Sequence, residues 1–392
     1  MKRIFRYLGM VSLAGSLSAA TYSWQEPQAK VLPTGDLQWA PHAFLFEKAE
    51  PVRYIDFDGG DDANPGDAPA KAWKHHPWDP KATRNAAAAA GIHTYVFKRG
   101  SVYRGRLVVK EAGQAGTPIR LTSNPAWGQG EAVLCGSERV LGWNRGATHP
   151  DIPEPERVWW ADLDFAPRCV WSVGKEGTIR RIPLARTPNW KVSNPDDVKS
   201  EWWVWDNSRK AFGNTITNAG GQTIHLGIDT QHIKDKPEDY FKGALIWPEY
   251  GWVMSAPYPT EVEVVDLEHH GLGFGGWTGG GTGGVIMRNM RYYLEDKPQY
   301  LDDPEGEYWF EKKGAGGRLY LRPPGGIDPN AAQIEAGRQM NLVEGEKVEH
   351  LHITGLTFRF TTPAWNITAA PWDFSTKPWR FRPEMHPGCV RV

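Results

Sequence analysis

Short runs of β-forming residues, each closed by a turn, predict an all-β chain. The expected fold is a parallel β-helix, capped by a helix at its N-terminal end and interrupted by a large β-rich, sandwich-like insertion. Three observations carry this expectation. Residues 51–143 alternate short strand patterns with Gly- and Asp-rich turns around one short helical pattern. Residues 348–360 hold two alternating runs that meet at the lone Gly355. Residues 144–340, between them, are Trp-rich and irregular in a way neither flank is.

The elements follow in chain order. Lys2, Arg3 and Arg6 precede the apolar stretch Leu8 to Leu17, and Ser18-Ala19-Ala20 offers small residues for cleavage. Residues 1–20 thus have the pattern of a secretory signal peptide, and export to the periplasm or exterior is expected. Residues 21–50 contain proline and no clear period, and read as a lead-in tether. Val52 to Phe57 is a strand, followed by the turn-rich Asp58 to Gly66. Asp79 suits an N-cap and Pro80 a first helical position, so a helix is expected from 80 to 90, stopped by Gly91. Thr94 to Arg99, Leu107 to Val109 and Ile119 to Thr122 are further strands. A stack of strands exposes an edge and an apolar end, which a helix can cover.

In the insertion, Glu261 to Val265 reads as a strand, and Gly306 to Phe310 with Gly317 to Pro324 reads as two strands around a turn. The glycine run from Gly275 to Gly284 lacks the Lys-Ser/Thr ending of a phosphate-binding loop, so no nucleotide role is assigned. Residues 341–392 resume the coils. Leu351 and Ile353 share one face, as do Leu356, Phe358 and Phe360. A hairpin usually needs two or more turn residues, so a single Gly between the runs favours a corner between two sheets. The chain stops at Cys389-Val390-Arg391-Val392 in what reads as another coil, so a truncated solenoid is expected.

Composition narrows the function. The 392-residue chain carries a net charge of -1, which argues against a nucleic-acid partner needing a basic face. Its 20 Trp invite a carbohydrate reading, because a sugar ring offers a flat C–H face to an indole. Most of these Trp are nonetheless expected in the core. The three cysteines, Cys135, Cys169 and Cys389, form neither a disulfide framework nor a zinc pattern. No stretch beyond the signal is apolar enough to span a membrane. A monomer is expected.

Several residues could carry chemistry. Asp56, Asp58, Asp61, Asp62 and Asn64 place hard oxygens in a Gly-containing loop, as calcium requires, but no bidentate Glu follows at the EF-hand position. The bland reading is a turn with Asx-type hydrogen bonds. No cofactor is required, and calcium is the one considered. Asp196-Asp197 and Asp302-Asp303 are neighbours in sequence, so on a strand they would point apart, and both read as turn residues. His75-His76 and His269-His270 would diverge in the same way. His350 and His352 share a strand face but lack a third ligand. The stretch Thr361 to Pro387 reads as a long loop walling a groove. There Trp365, Trp372 and Trp379 could stack on sugar, with Arg382 and His386 binding its substituents. Asp373 or Glu384 could serve as an acid.

Four stretches resemble bacterial right-handed parallel β-helix proteins of the pectin-lyase-like superfamily, in particular glycoside hydrolases with an inserted β-sandwich. They are Tyr54 to Phe57 with Asp61 to Gly66, Tyr95 to Gly100 with Tyr103 to Gly105, Gly306 to Phe310 with Arg318 to Leu321, and Ile353 to Phe358. The resemblance implies an exported enzyme that cleaves a plant- or algal-type polysaccharide through two carboxylates on coils beyond residue 392. A polysaccharide lyase and a non-catalytic glycan-binding surface protein are the alternatives, because such a fold hosts all three.

Overall fold

The computed structural model describes residues 29–39, 44–175, 177–206, 216–217, 223–249, 260–275, 289–362 and 390–391. The chain divides into two compact units, Met1–Leu45 and Phe46–Val392. In the first, Ala29–Val31 pairs antiparallel with Leu37–Trp39. The predicted signal peptide and residues 21–28 and 40–43 of the tether lie outside the described residues.

The second unit is mostly β, in several small sheets with few helices. Three of its sheets are parallel. Val52–Ile55, Thr94–Arg99, Ile119–Gly128 and Leu351–Ile353 form the first. Val102–Arg104, Val133–Cys135 and Thr357–Arg359 form the second. Leu107–Val108, Val343–Glu344 and Val390–Arg391 form the third. Their inward residues, among them Ile55, Tyr95, Phe97, Leu121, Leu134 and Val343, make one buried cluster. The two runs around Gly355 belong to different sheets, and Gly355 itself sits at φ +64, where a side chain is strained.

The remaining sheets are antiparallel. Trp159–Leu163, Gly316–Arg322 and Glu307–Lys313 pair in sequence, with Asn144–Arg145 on the outer edge. Ile179–Ile182, Val170–Val173, Gln333–Gly337 and Ser137–Arg139 form a second sheet. The largest has eight strands, with Arg291–Glu295 beside Arg186–Thr187, Leu245–Pro248 and Trp203–Val204. Trp205, Phe274 and Tyr292 lie at its core, and the Trp205 and Tyr292 rings stack 3.6 Å apart.

Two expectations need correction. The resemblance to the pectin-lyase-like superfamily and its sandwich-bearing glycoside hydrolases does not hold for the described residues. Their strands fall into separate small sheets, and the largest is antiparallel. The motifs that suggested the family are short strands closed by Gly or Asp turns, a pattern that several β architectures share. The early helix is also shorter than predicted, running only from Arg84 to Ala88. Asp79 does not cap it. Its Oδ1 accepts the Lys81 N–H at 2.8 Å in a tight turn, which uses up the cap before the helix starts.

Among the described residues, a strand pair ties the antiparallel region to the parallel sheets. Ser137–Arg139 leaves the second parallel sheet and pairs antiparallel with the returning Gln333–Gly337. Arg104 spans the junction, donating to both oxygens of Glu335 at 2.8 Å. Glu335 is fully buried and also accepts from Ser137 Oγ and Gln333 Nε2. Burial would raise its pKa, but these three donors hold it below the ordinary value.

Candidate functional site

Trp365, Trp372, Asp373, Trp379, Arg382, Glu384 and His386 lie outside the described residues. The acidic loop lies within them, and its carboxylates are committed to the protein. Asp56 accepts the Asp58 and Gly59 N–H groups on Oδ1 and the Lys98 ammonium on Oδ2 at 2.7 Å. Asp61 accepts the Ala63 N–H, and Asn64 donates to the Ala72 carbonyl. Asp62 binds His75 and Thr83. Among the described residues of the loop, the Asp58 carboxylate is the exception and takes no such bond. Among the described residues no three His, Cys, Asp or Glu side chains gather as a metal requires. His350 and His352 are both exposed, and His350 has a positive φ that breaks the strand before Leu351.

A different group of residues converges in the eight-stranded sheet. Strand alternation sends Tyr292 to the core, where its hydroxyl donates to buried Asp229, and sends Tyr293 and Glu295 to the other face. On that face Trp247 lies opposite Tyr293, with rings 5.8 Å apart and nearly parallel. Arg186 lies opposite Glu295. The Trp247 indole N–H donates to Glu295 Oε2 at 2.8 Å. Trp202 and Trp190 extend the wall, with their ring centroids 4.4 and 5.3 Å from Tyr293. The Arg186 guanidinium sits 4.2 Å above the Trp190 ring.

The loop carrying Trp190 is fastened on three sides. Asn189 donates to Asp302 at 2.7 Å, the Lys191 ammonium holds Asp303, and the Lys191 N–H reaches Glu201 at 2.7 Å. Asp302 and Asp303 are therefore turn residues, as the sequence suggests, and their turn anchors this aromatic wall. Trp190 and Trp247 are half-buried, whereas Trp202 and Tyr293 are 8% and 6% exposed.

The electrostatics are unusual. Burial pushes Glu295 up to about 7, against the pull of the Trp247 N–H and the Arg186 charge. Burial also pushes Glu307 up to about 9, with Asp303 and Asp302 adding repulsion. Glu307 accepts the backbone N–H groups of Arg186 and Asp303, each at 3.3 Å. Two carboxyls thus flank Arg186, one by strand pairing and one by hydrogen bonding. Among the described residues, Trp190 Nε1, Trp202 Nε1 and Arg186 Nε are buried without a hydrogen-bond partner. The arrangement offers flat apolar faces, donors, and a carboxylic acid that carries its proton near neutral pH.

Sequence reasoning singled out none of Arg186, Trp190, Trp202, Trp247, Tyr293 and Glu295. The alternation in Arg291–Glu295 could have placed Tyr293 and Glu295 on one face. Only the fold brings Trp190, Trp202 and Trp247 to them.

No family model matches the chain, and no curated protein does. A solved structure described as "The complex structure of XylC with xylose" is similar at 12% identity and a TM-score of 0.35. The match covers 82% of this chain and 36% of that one, so this chain spans about a third of that structure's length. At that score the likeness carries no argument about fold or function.

Proposed function

We propose that the protein is carbohydrate-active and engages a poly- or oligosaccharide at the wall formed by Trp190, Trp247 and Tyr293. The observation that carries this reading is the aromatic wall with Arg186 and Glu295 on the same face. A pyranose stacks its C–H face on an indole and sends hydroxyls to a guanidinium and a carboxyl. Glycoside hydrolysis is the first form of the activity. Glu295, protonated near neutral pH, is suited to protonate a leaving glycosidic oxygen. The exported destination belongs to the same proposal, as does a coil formed by the three parallel sheets that holds this region in place. A second reading, glycan binding without cleavage, is favoured by Glu307. That carboxyl has no exposure and is committed to two backbone N–H groups.

The test is a panel of neutral and acidic oligosaccharides, followed by tryptophan fluorescence and by assay of new reducing ends. Saturable quenching is expected, and Trp190→Ala is expected to weaken it at least about tenfold, a loss of about 1.4 kcal/mol. New reducing ends that disappear in Glu295→Gln support hydrolysis. Saturable binding without cleavage supports the second reading. A protein that binds no member of the panel overturns both.

A further inference from the structure

One buried carboxyl joins the two sides of the fold that hold the Trp190 loop. Glu307 opens the strand Glu307–Lys313 and has no exposure. Its Oε1 accepts the Arg186 backbone N–H, and its Oε2 accepts the Asp303 backbone N–H, each at 3.3 Å. On one side is the strand Arg186–Thr187, which leads into the loop. On the other is the turn at Asp302 and Asp303, to which Asn189 and Lys191 of the loop are fastened.

Charged groups face Glu307 from each element packed against it. On the turn, buried Asp303 and its neighbour Asp302 both add negative charge. Asp303 is held by the Lys191 ammonium, which also lies 3.2 Å from Glu305. On the strand Arg186–Thr187, the Arg186 guanidinium donates to the Trp190 carbonyl at 2.7 Å and lies over the Trp190 ring. On the strand Gly316–Arg322, Arg322 is paired opposite Glu307, but its Nη2 is committed to Glu154. Among the described residues no cation donates to Glu307. An ionised carboxylate buried beside two acids without a paired cation is unfavourable, so the group keeps its proton. Burial, with repulsion from Asp303 and Asp302, pushes it up to about 9 against the pull of the Asp303 N–H.

We infer that Glu307 is a proton-operated latch on the Trp190 wall: uncharged, it lets the turn and the Arg186 strand lie together and hold the Trp190 loop, and ionised, it parts them. Only the consequence for a ligand rests on the sugar reading of the wall. Loss of the proton to water places a negative charge beside Asp303 and Asp302 and drives the turn away, which slackens the Asn189 and Lys191 ties. The same charge draws the Arg186 guanidinium off the Trp190 carbonyl and ring. Trp190 then leaves Tyr293, and the wall loses one of its faces. The closed form binds the proton more tightly than the open one, so its advantage falls as pH rises above the ordinary glutamate range. That fall is complete above about 9. Glu295 titrates lower, near 7, so the two carboxyls that flank Arg186 act in different pH ranges.

The experiment uses the full chain labelled with fluorotryptophan and follows the fluorine NMR resonance of Trp190, assigned by its loss in Trp190→Phe. From about pH 6 to about pH 10 the wild-type resonance is expected to move to the position of a solvent-exposed indole, and to return on acidification. Glu307→Gln, which keeps the group uncharged, is expected to hold the neutral-pH position throughout. Glu295→Gln is expected to keep the alkaline transition. The affinity of wild type for cellotetraose should fall at least about tenfold over the same range and stay level in Glu307→Gln. A wild-type resonance that never moves, an equal movement in Glu307→Gln, or loss of the transition in Glu295→Gln would each overturn the latch. If Glu307→Gln does not fold, carbon-13 NMR of the wild-type glutamate carboxyls decides. One of them must titrate in step with the Trp190 resonance, and the absence of such a titration overturns the inference. A transition that is present while cellotetraose binds at no pH upholds the latch and counts against the sugar reading alone.

Discussion

At the residue scale, the most informative side chain is Glu295. It is 9% exposed, and burial moves its pKa up to about 7. An acid whose folded pKa is raised binds more protons folded than unfolded, so its contribution to stability falls as pH rises. The loss begins near the ordinary glutamate value and is complete above about 7. A shift of that size corresponds to about 3 kcal/mol at most. Thermal melts from pH 5 to 8 should therefore show wild type losing stability, and Glu295→Gln should flatten the curve. A Gln variant that tracks wild type across the range would show that Glu295 does not titrate there. The two histidines of His75-His76 carry a related lesson. Sequence correctly sends them apart, with His76 2% exposed against the Tyr95 ring and His75 turned to Asp62. It could not show that one of them meets a buried acid 13 positions away.

At the element scale, the strands were legible because β-formers and turn residues are local signals. Thr94–Arg99, Thr260–Asp266 and the pair Glu307–Lys313 and Gly316–Arg322 lie where their alternation puts them. Pairing was less legible, because it depends on partners far along the chain. The helix expected from 80 to 90 starts only at Arg84, because Asp79 closes a turn instead of opening a helix. Some elements depend on a single glycine. Gly128 has φ +89, and an added Cβ would lie 2.1 Å from the Arg99 carbonyl oxygen, where the register of the first parallel sheet shifts. Gly128→Ala should cost about 1–3 kcal/mol, read as a lowered denaturation midpoint. An unchanged midpoint would mean the strand end relaxes freely.

At the scale of the molecule, the β class was legible and the arrangement was not. The Trp190 wall joins residues from four separate stretches of sequence, which no local pattern relates. The Arg104–Glu335 pair holds the antiparallel region to the parallel sheets across 231 positions. Removing one partner of a buried pair leaves the other charge uncompensated, so Arg104→Met should cost about 3–5 kcal/mol. Arg104→Met with Glu335→Leu should recover much of that loss in chemical denaturation, and a double variant no better than the single would argue against the pair. The two strands at this junction, Ser137–Arg139 and Gln333–Gly337, lie side by side. The nearly two hundred residues between them are thus a detour whose two ends meet. Such a stem resembles the graft point of a tree. What grows from it can be exchanged for a different branch, or pruned to a short turn, while the trunk on either side keeps its course.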